Sequence, residues 1–195
     1  MFNQNSVQLA QKLIGQKLTQ GDTSGIIVET EAYPGEKDPA CHYNGKSTKR
    51  GKVFEKGPGT VYVFSMHGHN CLNFICGSEE YPEGVLIRAL KPENGIQKME
   101  ERRGKEKSLC DGPGKLTEAM NISKREMNEK RFSETNLELE QAEDEKIMAD
   151  RRIGISSAET WPLRFCMKSS EHISSTLKDP VDSEEAKKFV RNLME

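Results

Sequence analysis

The sequence predicts one mixed α/β (α+β) domain, built on a mainly antiparallel sheet with short flanking helices. Three observations carry that expectation. Runs of strand length, rich in β-branched and aromatic residues, recur at 26–33, 61–66, 71–76, 85–90 and 163–167. Two of them flank the dipeptide His67–Gly68, which is the pattern of a β-hairpin and so of antiparallel pairing. At 195 residues the chain suffices for one domain with a core of its own.

Taken in order, residues 6–14 place Leu9, Ala10, Leu13 and Ile14 on one side of a short helix, and Gly15 stops it. Residues 18–23 read as a first strand and turn. In the strand from Ile26, alternation puts Glu29, Glu31 and Tyr33 on one face and Val28, Thr30 and Ala32 on the other. Pro34–Gly35 ends it, and a long basic loop to residue 59 delivers Cys41–His42. The hairpin of residues 60–76 leaves an imidazole near its tip. Strand 85–90 is apolar except for Arg88, a charge that needs a facing carboxylate. A charged helix over 94–103 ends at Gly104, and a glycine-proline turn at 111–116 opens a helix at 116–120. Ser123 and Glu126 have capping-box spacing. Arg152–Ile155 and residues 163–167 read as late strands, while 169–195 is a polar, acidic tail with a candidate helix at 183–194.

Charged residues make up 31% and hydrophobic ones 34%, the composition of a soluble protein. No apolar run reaches the length of a membrane span, residues 1–15 do not form a signal peptide, and the five cysteines are odd in number. A reducing, cytoplasmic setting (nuclear in a eukaryote) is expected. The net charge of −2 is unevenly spread. Residues 46–56 carry Lys46, Lys49, Arg50, Lys52 and Lys56 against Glu55 alone, whereas 134–145 carries six acidic residues and no basic one.

His67, His69 and Cys71 alternate as zinc ligands could, but no fourth ligand or paired spacing accompanies them, so no metal is expected. His-x-Glu with Pro-Cys-x-x-Cys is absent, as are Gly-x-Ser-x-Gly, the phosphate loop and the dinucleotide fingerprint. Cys41–His42 offers only weak support for a thiol nucleophile, since neighbours on an extended chain point apart. What remains is a carboxylate strand, Arg88 and an exposed hairpin tip.

VETEAY at 28–33, ACH at 40–42, PGTVYV at 58–63, LIRAL at 86–90, CDGPGKL at 110–116 and RIGI at 152–155 occur in an order that resembles the alkyladenine (3-methyladenine) DNA glycosylases of mixed α/β type. The resemblance spans about residues 6–168, which sets a glycosylase domain at 1–168 and leaves 169–195 outside it. It implies a curved sheet, a protruding hairpin, and a cofactor-free monomer that flips alkylated or deaminated purines out of duplex DNA and excises them. Glu31 matches the general base and Arg88 the arginine that helps hold the attacking water. Tyr33 and His42 match the rings that sandwich the base, backbone near Ala40–His42 reads its edge, and Asn73 lies on the pocket floor. His67 occupies the intercalating position, with Phe64 and Gly68 beside it, while Thr48, Arg50 and Lys115 would meet phosphates. The alternatives are a nucleic-acid-binding module without chemistry and a metal-binding protein.

Overall fold

The computed structural model describes residues 1–45 and 48–194. Its first helix, α1 (Ser6–Leu13), starts at Asn5, whose side chain accepts the Gln8 N–H at 2.9 Å. It ends at Leu13 with Ile14 as its cap, and Gly15 then turns the chain, with φ of +82° and a Cβ that would lie 2.2 Å from the Glu143 carbonyl oxygen. Leu9, Ala10 and Leu13 are fully buried. The Thr30 hydroxyl donates to the Ala10 carbonyl at 3.0 Å, so this helix covers the Thr30 face of the central strand.

That strand is β2 (Thr23–Tyr33). It follows β1 (Gln16–Gln20) and pairs antiparallel with β1, with β5 (Pro82–Asn94) and with β8 (Arg164–Met167). The sheet runs β3 (Val61–Met66), β4 (His69–Gly77), β5, β2, β8, β7 (Ile147–Asp150), β9 (Val181–Asp182), and β6 (Leu137–Gln141) joins through β1. All pairings among the described residues are antiparallel. An irregularity at Ile27–Thr30 shifts the β2–β5 register, after which Glu31 stands opposite Leu86 on one side and Arg164 on the other. The centre of the sheet thus places Glu29, Glu31 and Arg88 on adjoining strands.

β3 and β4 form the hairpin, in register from Val61–Phe74 to Met66–His69. His67 and Gly68 make its two-residue turn with φ of 51° and 83°, the pair of positive values whose twist suits a tight hairpin. The remaining helices are α2 (Ile96–Arg103), α3 (Pro113–Ala119), α4 (Lys124–Met127) and α5 (Ser183–Met194). Ser123 accepts the Glu126 N–H at 3.2 Å, as its spacing predicts. A large apolar core lies between α1 and the sheet, while Cys41, Val53, Phe54, Tyr62 and Ile75 form a second cluster under the loop that follows β2. No helix among the described residues is long and apolar enough to cross a membrane.

One expected strand is absent. Residues 152–155 form a bend, with φ of +75° at Gly154, and the strand beside β8 is Ile147–Asp150 instead. The side chain of Arg152 turns into the protein to meet Asp38, and that draws the chain away from the sheet edge. Residues after 168 pack on the same body: α5 buries Ala186 and Val190, and the Lys178 N–H donates to Asp150 at 2.6 Å.

Candidate active site

A cavity of about 320 Å³ opens where the end of β2, the 39–44 loop, the hairpin, β5 and the 153–157 bend converge. Tyr33, Ala40, His42, Phe64, Asn73 and Arg88 all line it, so the strand, loop and hairpin signals meet at one place.

Glu31 lies just beneath the wall, with no exposed surface. Its carboxylate accepts the Ile153 N–H at 2.8 Å and the Tyr33 hydroxyl at 2.9 Å, and Nη1 of Arg88 stands 3.4 Å from Oε1. All three donors come from residues of the cavity lining. A carboxylate so held has one orientation at the cavity's edge. Burial, then the neighbouring Glu31 charge, raises the Tyr33 pKa well above its usual value, which keeps this hydroxyl a donor. Arg88 has the carboxylate partners its sequence position demands, because Nε also lies 3.7 Å from Glu29.

Behind this sits a layer of buried charge. Arg152 bonds Asp38 through two nitrogens, donates to the Ala32 carbonyl at 3.0 Å and lies 4.6 Å above the Tyr33 ring. Burial opposes its charge, but the hydrogen bonds and charge of Asp38 prevail and its pKa rises. Arg164 reaches Glu29 and Asp150 at 2.9 Å each. Counting Glu29, Glu31, Asp38 and Asp150 against Arg88, Arg152 and Arg164, the formal charge of the layer is negative by one.

The opposite wall is aromatic. His42 meets Phe64 edge-on at 4.8 Å between centroids, and its Nδ1 lies 2.8 Å from the Tyr62 hydroxyl. Arg50 sits 5.1 Å over Phe64, 3.4 Å from Nε2 of His42, and donates to the Ser65 carbonyl at 3.1 Å. Burial, helped by the Arg50 charge, lowers the His42 pKa from 6.5 to about 4. The ring is neutral at neutral pH and presents a face without repelling a cation. The lowered pKa has a consequence for stability. Between about 6.5 and 4 the unfolded chain binds more protons at this site, so stability falls as pH drops through that window and is unaffected above it. His42→Gln, which keeps a partner for Tyr62, removes that share of the slope. Denaturation midpoints measured from pH 4 to 8 check this, and identical slopes for both proteins would refute it.

Burial pushes Cys41 up to about 12 and Cys71 up to about 11, far from a thiolate at neutral pH. His67 and Gly68 stand exposed at the hairpin tip, just past Met66 of the lining and not themselves part of it. Thr48 accepts the Gly51 N–H at 2.9 Å and shapes the loop that carries Arg50. Lys115 pairs with Asp111 at 3.1 Å and with the Ser108 hydroxyl at 2.8 Å. Lys46 of the basic run lies outside the described residues.

Sequence reasoning missed Asp38, Tyr62, Arg152, Ser174 and the Ile153 amide. Arg152 carries a readable signal, since a basic residue beside the apolar pair Ile153 and Ile155 is the same mark that singles out Arg88. A backbone amide carries none.

Known proteins resemble the chain over nearly all its length. The sequence profile described as methylpurine-DNA glycosylase matches residues 1–171. A Staphylococcus saprophyticus protein with the provisional name 3-methyladenine DNA glycosylase is 40% identical over 189 residues, covering 91% of this chain and 93% of its own. A Listeria monocytogenes protein with the same provisional name is 38% identical, covering 92% of each chain. One from Encephalitozoon cuniculi, provisionally a DNA-3-methyladenine glycosylase, is 39% identical over 86% of this chain and 87% of its own. A profile match of that extent, with the fold and cavity described, shows that the chain belongs to the methylpurine-DNA glycosylase family and is a DNA glycosylase.

Proposed function

We propose that the protein acts as a monomer on duplex DNA, rotates a damaged purine into the 320 Å³ cavity and hydrolyses its N-glycosyl bond without metal or cofactor. The substrates are 3-methyladenine and 7-methylguanine, with hypoxanthine and etheno-adenine as neutral candidates. The observation that carries this is the buried Glu31 carboxylate fixed by Tyr33, Ile153 and Arg88 at the edge of an aromatic-walled cavity.

In this reading Glu31 takes a proton from the water whose oxygen attacks C1′, and Arg88 holds that water. The electron pair of the breaking bond leaves with the base. A purine methylated at N3 or N7 is already cationic, so it departs as a neutral molecule and needs no acid. The layer's single excess negative charge favours both the cationic lesion and the oxocarbenium-like sugar. Tyr33 and neutral His42 enclose the base, each cation–π contact contributing roughly 0.5–2 kcal/mol. Ala40–His42 backbone reads its edge. The Asn73 amide, which donates to the Tyr62 and Cys71 carbonyls at 3.2 and 3.1 Å, is held rigidly enough to turn away the exocyclic amine of normal guanine. His67 fills the gap in the duplex, with Phe64 and Gly68 beside it, and Thr48, Arg50 and Lys115 lie along the phosphates. The product is an abasic site, with no lyase step.

Release of free base from duplexes bearing one 7-methylguanine or one hypoxanthine tests the proposal, with a chelator present and an undamaged duplex as control. Release from the 7-methylguanine duplex at an unchanged rate in chelator is expected. Failure on that duplex, or a rate abolished by chelator, would overturn it.

A further inference from the structure

We propose that Ser174, which lies beyond the 1–171 segment matched by the family profile, is the positioning residue that directs Arg88 toward Glu31. This rests on Arg88 and Glu31 acting together as proposed above.

Arg88 faces a choice. Two carboxylates two residues apart on β2, Glu29 and Glu31, stand on the same side of the strand, and one guanidinium serves both. Both carboxylates are fully buried, so either would gain from a close, two-pronged pairing with it. If Arg88 closed on Glu29, its terminal nitrogens would leave the cavity wall. The structure shows the other outcome: Nη1 is 3.4 Å from Glu31, while Nε stays 3.7 Å from Glu29.

Ser174 is placed to decide this. Its hydroxyl accepts from Nε of Arg88 at 3.0 Å and donates to Oε1 of Glu29 at 3.0 Å. Its backbone N–H donates to Oε2 of Glu29 at 2.6 Å. One hydroxyl therefore stands between the arginine and the wrong carboxylate, consuming the Nε proton and part of the capacity of Glu29. Arg164 completes the arrangement by bonding Glu29 at 2.9 Å and the Ser175 carbonyl at 3.1 Å, which fixes this stretch against the sheet. With Nε and Glu29 both engaged, Arg88 can turn only its terminal nitrogens outward, to Glu31 and the cavity it lines. The residues that follow the family's matched segment thus close the active site from behind.

The test is single-turnover excision of 7-methylguanine, with duplex affinity measured alongside, for Ser174→Ala and Ser174→Thr, each in wild-type and Arg88→Ala backgrounds. Ser174→Ala should lower the excision rate about tenfold with duplex affinity unchanged. Thr, which restores the hydroxyl, should recover most of the rate. In the Arg88→Ala background, Ser174→Ala should add no further loss, because there is no guanidinium left to direct. The proposal is overturned if Ser174→Ala excises like wild type, if its loss adds in full to that of Arg88→Ala, or if Thr is as slow as Ala. An undiminished rate in Arg88→Ala alone would instead remove the catalytic role of Arg88, and this proposal with it.

Discussion

Glu31→Gln is expected to lower single-turnover base release by roughly 10²- to 10⁴-fold, the range for a positioned general base, while duplex affinity stays near wild type. The substitution isolates the charge because the surroundings tolerate the amide. Oε1 accepts from Ile153 and faces Arg88, and a glutamine carbonyl oxygen can take that place. Oε2 accepts from the Tyr33 hydroxyl, and a hydroxyl can turn to accept from the amide NH₂ in its stead. The Ile153 amide keeps an acceptor and the displaced Tyr33 hydroxyl proton can turn into the cavity that Tyr33 lines, so the fold and the cavity wall are expected to persist. What disappears, on the proposed mechanism, is the group that takes the water's proton, together with the negative charge facing the developing oxocarbenium. Quench-flow release of 7-methylguanine, paired with a duplex titration, gives both quantities. A rate within threefold of wild type would show that some other group is the base. A parallel loss of affinity would instead mean that the Glu31→Gln substitution disturbs the cavity.

How much of this site can be read beforehand follows from how each residue is marked in the chain. Glu31, Tyr33 and Arg88 sit in regular strands, where alternation and the cost of burying charge expose them in one dimension, and all three meet at the cavity. The hairpin is legible for a similar reason, since only a short turn with freedom for positive φ joins two apolar runs so closely. The 152–155 segment imitates a strand because its apolar residues alternate around Gly154. Its shape is set by a partner, Asp38, more than a hundred residues earlier, and no local pattern reports that. The charged layer has the same character. Glu29 reads only as one member of the Glu31–Tyr33 face of an alternating strand, yet it is fully buried because Arg164 and Ser174 arrive from the far end of the chain. Polar composition after residue 169 gives no hint that a serine there reaches the centre of the sheet. Long-range pairing of charges is invisible to periodicity, and here it is what organises the site.

The Asp38–Arg152 pair should therefore be where the fold is most sensitive to a single polar change. Both side chains are fully buried, and Arg152 has no water to fall back on. Asp38→Ala leaves a guanidinium uncompensated and is expected to cost about 3–5 kcal/mol of stability. It also frees the 38–42 loop, where Asp38 accepts the Ala40 N–H at 3.0 Å, and it loosens the bend that presents the Ile153 amide to Glu31. Stability and excision should fall together. Arg152→Met in the Asp38→Ala background separates the two causes. Replacing a buried pair by apolar groups is often nearly neutral, so most of the lost stability should return. The excision rate should not return, since a methionine neither bonds the Ala32 carbonyl nor lies as a cation over Tyr33. Denaturant titrations and single-turnover rates for the three proteins check this. Asp38→Ala unfolding within about 0.5 kcal/mol of wild type, as a surface substitution would, contradicts the buried-pair account. A double variant regaining stability and rate alike would show that the pair supports the fold without shaping the site.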